Sequence, residues 1–157
     1  MNTYLAVKWL HIVSATILFG TGLGTAFFMW RAMVSGNIQA ITVVAANVVR
    51  ADTWLTTPAV LIQPLSGIWL AHLLGWPLGT RWIALSLILF VLVGCCWIPV
   101  LFIQARVARH TSVLASQDLP VDGEVRRLMR FWYGLGWPAF IAMLAIFYLM
   151  VFKPLPD

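Results

Sequence analysis

Uncharged residues fill four long stretches of the chain, and the charged residues lie between them. The stretches comprise residues 9–30, 53–80, 82–105 and 131–152. A helix needs about 20 mainly apolar residues to cross the hydrocarbon core of a bilayer, so each stretch is long enough for one crossing. The pattern predicts an all-α, polytopic membrane protein built as a bundle of four transmembrane helices.

Glycine, proline and charged residues set the predicted limits of these helices. We predict spans at about 4–33, 53–75, 81–106 and 128–152, and a cytoplasmic helical extension at about 38–52. The spans use nearly all of the 157 residues, so 1–157 is interpreted as a single domain. The first span lacks a basic start and a small-residue cleavage site, so we interpret it as a retained helix and not a signal peptide.

The composition and the placement of charge agree with a lipid environment. Hydrophobic residues make up 62% of the chain and charged residues 10%, whereas soluble domains carry about 25% charged residues. Of the ten lysines and arginines, seven arginines lie in or beside the first and third connections. Because basic residues favour cytoplasmic loops, both termini are predicted to lie outside a bacterial cytoplasmic (inner) membrane. The net charge of +5 therefore indicates a bilayer as the partner, and not nucleic acid.

His11 is the main candidate functional residue, because it lies inside the first uncharged stretch. An imidazole in lipid needs a partner, a cavity or a ligand. His72 lies at a similar predicted depth on the second span, with Lys8 and Arg81 at the same end. Histidines that face one another in a helix bundle are common ligands of haem b. The pattern predicts haem b, with His11 on the iron, His72 as a second axial ligand, and Lys8 and Arg81 beside the propionates.

Two buried polar residues are expected to have structural roles. Gln63 precedes Pro64 and is predicted to bond a backbone carbonyl that the proline leaves free. Asp52 lies where several helices end and is predicted to fasten the bundle through an ion pair. Its candidate partners are Arg31, Arg50 and Arg106.

Small residues on the first and third spans are expected to serve helix contacts. Gly20 and Gly24 have the Gly-x-x-x-Gly spacing that permits close approach, either within one chain or between two copies. The adjacent Cys95 and Cys96 point about 100° apart on a helix, which suits neither a shared metal nor an unstrained disulfide. They are interpreted as small side chains that pack in the bundle.

Short motifs follow one another in order along all four spans, and they resemble those of a known family. They are Lys8–Ile12, Phe19–Gly24, Thr57–Ala59, Gln63–Gly67, Cys96–Pro99, Gly136–Ala139 and Lys153–Pro154. In these residues the chain resembles the bacterial domain-of-unknown-function 2269 integral membrane family, which is grouped with the HemJ and CopD membrane families. HemJ proteins are similar in the Lys-x-x-His, Thr-Pro-Ala, Gly-x-Trp-Leu and Lys-Pro motifs, and are taken to bind haem b and oxidise protoporphyrinogen.

The chain departs from the HemJ pattern at two places. It has Ser86 where the third HemJ helix carries a lysine, and Leu135–Pro138 where an Asn-Glu pair precedes proline. What the resemblance implies is therefore the four-helix fold and His11 as a haem ligand.

Three functions are consistent with these residues, and the sequence leaves open whether the protein is an enzyme. The first is a haem-b protein that acts near the outer face in electron transfer or haem-related redox chemistry, with a membrane redox partner or a second copy of itself. The second is an assembly or partner subunit without a cofactor. The third, by similarity to CopD, is copper handling.

Overall fold

Several helices of this chain begin or end at residues that satisfy the free backbone groups there. In the computed structural model, which describes residues 2–154, the side chain of Asn2 accepts a hydrogen bond from the N–H of Tyr4. Asn37 caps the next helix in the same way. Gly36 ends the first helix at a φ of 65°, a conformation that glycine adopts without strain. The elements are α1 (Thr3–Ser35), α2 (Ile38–Ala51), a π-helical segment (Asp52–Thr56), α3 (Thr57–Leu73), α4 (Arg81–Ser116) and α5 (Gly123–Phe152).

The described part of the chain is all-helical, and three of its helices are long and apolar enough to cross a membrane. These are α1, α4 and α5, with 33, 36 and 30 residues. Their surfaces expose large apolar side chains, including Phe28, Ile88 and Val151, as expected for helices in contact with lipid. The fourth predicted crossing falls on α3, which has 17 residues of its own. Residues 1 and 155–157 of the predicted domain lie outside the described range.

α2, the π-helical segment and α3 follow one another without a break in the helix. Their buried positions recur every three or four residues, so one face of this helical run points inward throughout. From residue 41 to residue 66 the buried residues are Ile41, Ala45, Val48, Asp52, Thr56, Ala59, Gln63 and Ser66, and Ala71 is buried one turn further on. The wider turn at Asp52–Thr56 lies directly before Pro58, whose ring lacks an N–H and clashes with the carbonyl one turn earlier. The π turn accommodates the proline within the run.

Two hydrophobic clusters hold the helices together. The larger joins α1, α2, α4 and α5 through residues such as Met29, Ile41, Val107 and Trp132. The smaller joins α1, α3, α4 and α5 through residues such as Leu18, Ala59, Val93 and Ile146. The most extensive contacts are those of α4 with α5, α1 with α3, and α2 with α4. Beyond the smaller cluster, the α1–α3 pair and the α4–α5 pair form the two sides of a cavity.

The bundle has two chemically different ends. We call the end that carries Lys8 and Lys153 the lysine end, and the opposite end, with Arg31, Arg50 and Arg106, the arginine end. The cavity lies at the lysine end.

The ion pair predicted for Asp52 is wrong. The partners of Asp52 are the uncharged side chains of Thr56 and Gln104, whereas Arg106 pairs with Glu124. Of the two contacts predicted for Gly20 and Gly24, the one within the chain is not made in the described residues, because a Cβ at either position would meet no atom within 4 Å. The contact between two copies stays a prediction. The ion pair and the glycine contact both depend on which way a helix face turns, and the spacing of residues leaves that open.

Candidate functional site

His11 lies half-buried on α1, and its ring faces α3. The sequence analysis likewise placed it inside the bundle. The close approach depends on Gly67 of α3. A Cβ at that position would lie 3.1 Å from Cε1 of His11, tighter than ordinary contact. The absence of a side chain at Gly67 therefore provides the space in which the imidazole lies.

Both ring nitrogens of His11 have partners on α3. Nδ1 lies 2.9 Å from Oγ of Ser66, and the Ser66 hydroxyl donates to the backbone carbonyl of Ile62 at 2.7 Å. Nε2 lies 3.2 Å from Nε2 of Gln63, an amide nitrogen that can only donate. With Nε2 as acceptor, Nδ1 carries the proton and donates to Ser66. The network therefore holds a neutral imidazole in one orientation.

Ser14 completes this network from the α1 side. Its hydroxyl is placed to donate to Oε1 of Gln63 and to the backbone carbonyl of His11. The bond to Gln63 leaves the amide nitrogen of Gln63 facing the imidazole. Ser14 is 2% exposed and Gln63 9%, so these bonds satisfy polar groups that water does not reach. Gln63 was predicted to bond a backbone carbonyl, but its amide instead links two side chains of α1.

The cavity next to His11 has a volume of about 320 Å³. That is at the lower end of the range of small-molecule pockets, about 300–1,000 Å³. Most of its lining is apolar, and comes from α3, α4 and α5. The polar lining includes His11, Gln63 and Ser86, with the two cations Lys8 and Lys153. Such a cavity suits a ligand with a largely apolar body and an acidic group.

Two tryptophans and a lysine lie together in the lining at the lysine end. Trp76, in the α3–α4 connection, meets Trp82 of α4 edge to face at 4.9 Å between ring centroids. Nζ of Lys153 lies 4.1 Å from the centroid of Trp76, within the range of cation–π attraction. Lys153 adopts a left-handed conformation with a φ of 46° immediately after α5, which ends the helix there. The ammonium of Lys153 is thus held by the aromatic rings at the cavity.

The structure brings together some of the residues predicted for the site and not others. Lys8 and His11 both line the cavity. His72 and Arg81 are exposed and lie outside its lining. The sequence analysis missed Ser14, Ser66 and Gly67 as partners of the imidazole. The signal available was their helical spacing, because Ser14 is three residues from His11, and Ser66 and Gly67 follow Gln63 by three and four.

No group of three or more His, Cys, Asp or Glu side chains that could hold a metal ion occurs within residues 2–154. Cys95 is exposed on α4 and Cys96 is buried, and both are free thiols. Neither lines the cavity. His11 is therefore the sole residue of these four types in the described lining, and it offers one nitrogen, Nε2, on the side of Gln63.

Comparison with known proteins identifies one family. Residues 5–154 match the family described as predicted integral membrane protein, DUF2269. No curated protein matches the chain, and no solved structure does.

Proposed function

We propose, from the premise that this chain belongs to the DUF2269 family of predicted integral membrane proteins, that it is a four-span membrane protein. Its cavity at the lysine end binds a largely apolar small molecule with an acidic group. The observation that carries the proposal is the combination of an oriented, neutral imidazole and two lysines on an otherwise apolar cavity.

The fourth span is the α2–π–α3 run. At 1.5 Å per residue, α3 alone covers about 26 Å, slightly less than the roughly 30 Å of a hydrocarbon core. The continuous helix before it supplies the remaining length. Its outward side chains are apolar: Trp54 is 77% exposed, Leu61 63% and Leu65 67%. The arginines favour the cytoplasmic side of a bacterial inner membrane, so the cavity opens toward the outer side.

Haem b is the specific ligand that we propose for this cavity. The Nδ1–H of His11 donates to Ser66, which is the second hydrogen bond that metal-binding histidines generally make. His11 would hold the iron through Nε2, with Gln63 turning away, and Lys8 and Lys153 would pair with the propionates. Bound haem would supply one-electron redox chemistry. His72 and Arg81 do not line the cavity, so one histidine, His11, would hold the haem in place of two.

The optical spectrum of the protein in detergent, purified natively and after haem addition, tests this ligand. We expect a Soret band that is lost in His11→Ala and retained in His72→Ala, the matched control on the lysine-end surface. Lys8→Ala should weaken haem binding without removing the band. Blank spectra in both wild-type preparations, or an unchanged spectrum in His11→Ala, would contradict the haem proposal.

A metal-free acidic amphiphile is the second candidate, favoured by the bond that Nε2 of His11 already accepts from Gln63. In that case His11 and Gln63 would contact a polar group of the ligand without a change in their own hydrogen bond. Native mass spectrometry of the detergent-extracted protein should then show a bound organic acid, without iron, that Lys8→Ala releases. Absence of both this species and haem would leave the cavity without a ligand and contradict the proposed function.

A further inference from the structure

Asp52 is a buried carboxylate at the join of α2 and α3, displaced from the cavity toward the arginine end. It begins the π-helical segment and is 6% exposed. No Lys, Arg or His nitrogen among the described residues lies within salt-bridge distance of it. An ionisable side chain in this position is costly without a cation, and such residues in membrane proteins generally serve ion or proton binding. π-helical turns are likewise frequent at functional sites.

The two carboxylate oxygens of Asp52 have different kinds of partner. Oδ2 accepts from Nε2 of Gln104 at 2.7 Å. The orientation of this amide is fixed, because Oε1 of Gln104 faces Nε1 of Trp132, which can only donate. Oδ1 accepts from the hydroxyl of Thr56 at 2.6 Å. A hydroxyl can also accept, so Thr56 can serve a protonated Oδ1 as well as an ionised one, with no movement of the helices.

The side chains that donate to this carboxylate are uncharged. A cavity of about 10 Å³, enough for one water, adjoins Gln104 and Trp132. Its other walls come from α1, α2, α4 and α5 and carry no titratable group: Met29, Val48, Val107 and Met129 are among them. Two arginines lie close to this site along the chain: Arg50 is two residues from Asp52, and Arg106 is two residues from Gln104. Each has another partner, since Arg50 donates to Asn47 and Arg106 to Glu124.

We propose that Asp52 is a proton-binding site that exchanges with water at the arginine end. The carboxylate takes a proton from that side, forming the Oδ1–H bond. The new O–H then donates to Thr56, while Oδ2 keeps the hydrogen bond from Gln104. Asp52 follows the exposed Arg50 by two residues, a rise of about 3 Å along the helix. Trp132, which donates to Gln104, belongs to the larger hydrophobic cluster. Ala59 of the smaller cluster lies between Asp52 and Gln63 along the helical run. The proposal is independent of the ligand in the cavity.

Infrared difference spectroscopy of the full-length protein in lipid vesicles, between acidic and neutral buffer, tests the proposal. The chain has five acidic residues, so ¹³C-labelled aspartate makes the assignment tractable. We expect a carboxylic acid C=O band that appears on acidification, shifts in D₂O and is lost in Asp52→Asn. The control Asp118→Asn changes an exposed residue with a φ of 54°, which asparagine tolerates, and should keep the band.

A second variant separates proton binding from a purely structural role. Gln104→Leu removes the donor to Oδ2, so the C=O stretch of protonated Asp52 should move to higher frequency. Gln104→Leu also tests the proposal if Asp52→Asn does not fold. A wild-type protein without such a band, a band that survives in Asp52→Asn, or a band unmoved in Gln104→Leu would each overturn the proposal.

Discussion

The imidazole of His11 is positioned by residues that the sequence does not connect to it. Its place in an uncharged stretch predicted that it needs a partner inside the bundle. The partners themselves, Gln63 and Ser66, are more than fifty residues away along the chain. Which faces of α1 and α3 meet depends on how each helix is rotated about its axis. Hydrophobic periodicity determines that rotation poorly here, because apolar residues surround both helices almost completely.

Gly67→Ala tests the fit of the imidazole against α3. Glycine to alanine in a helix usually stabilises by about 0.5–1 kcal/mol. At this position the new methyl group would lie 3.1 Å from a ring that is hydrogen-bonded at both nitrogens. We expect a net loss of about 1–3 kcal/mol, typical of overpacking, seen as a lower thermal unfolding midpoint in detergent. The matched control is Gly94→Ala on α4, where a Cβ meets no atom within 4 Å. Equal midpoints for the two variants would disprove the close contact.

Among the elements, the long helices were easier to predict than their joins. Runs of uncharged residues located α1, α4 and α5, which the structure confirms as helices of spanning length and composition. The π turn at Asp52–Thr56, which precedes Pro58, was not predicted. A proline can be accommodated by a kink, a break or a wider turn. The choice depends on the residues packed around it, such as Gln104 against Asp52.

The start of α5 depends on a charged cap whose effect should vary with pH. Asp122 accepts from the N–H of Val125 at 2.9 Å and lies 2.7 Å from Nε2 of His110 on α4. The Val125 bond first, and the His110 bond second, hold the pKa of Asp122 below its usual 3.8. A lowered folded-state pKa contributes stability above the unfolded value, and that contribution is lost as the pH falls through the folded value. We therefore expect stability to decline on acidification below pH 3.8.

Two substitutions of Asp122 separate its cap from its charge. Asparagine is also a good N-cap, so Asp122→Asn should keep most of the stability at neutral pH and show a weaker acid-dependent loss. Alanine provides no cap, and Asp122→Ala should lose about 0.5–2 kcal/mol at neutral pH as well. Thermal unfolding in detergent across the pH range gives both results. Identical pH profiles for wild type and Asp122→Asn would contradict the role of the carboxylate.

At the scale of the whole molecule, the buried polar side chains form two separate groups, with the smaller hydrophobic cluster between them. The His11 network and the cavity lie at the lysine end, and Asp52 with Gln104 lies toward the arginine end. The sequence predicted the asymmetry of charge, because it depends only on the order of residues. It did not predict the cavity, because the cavity arises where the α1–α3 and α4–α5 pairs stand apart, and such spacing is set by contacts made elsewhere in the bundle.

The same asymmetry allows the fourth span and the membrane orientation to be tested together. In a background with Cys95→Ala and Cys96→Ala, single cysteines are introduced by Ser35→Cys, Gly79→Cys and Gln117→Cys, all at exposed positions in or beside connections. A membrane-impermeant maleimide added to spheroplasts should label Gly79→Cys. The other two should react only after permeabilisation, because we propose that the arginine end faces the cytoplasm.

Each pair of labelled positions brackets one helical run. Ser35 and Gly79 lie on either side of the α2–π–α3 run, so labelling from opposite sides establishes that this run crosses the bilayer, whereas labelling from the same side would exclude it as a span. Gly79 and Gln117 bracket α4 in the same way and act as the control, since α4 is long and apolar enough to cross on its own. If each of the three positions were labelled from the side opposite to the one expected, the four-span arrangement would still hold, but the cavity would face the cytoplasm. The source of the proposed acidic ligand would then be the cell interior and not the external medium.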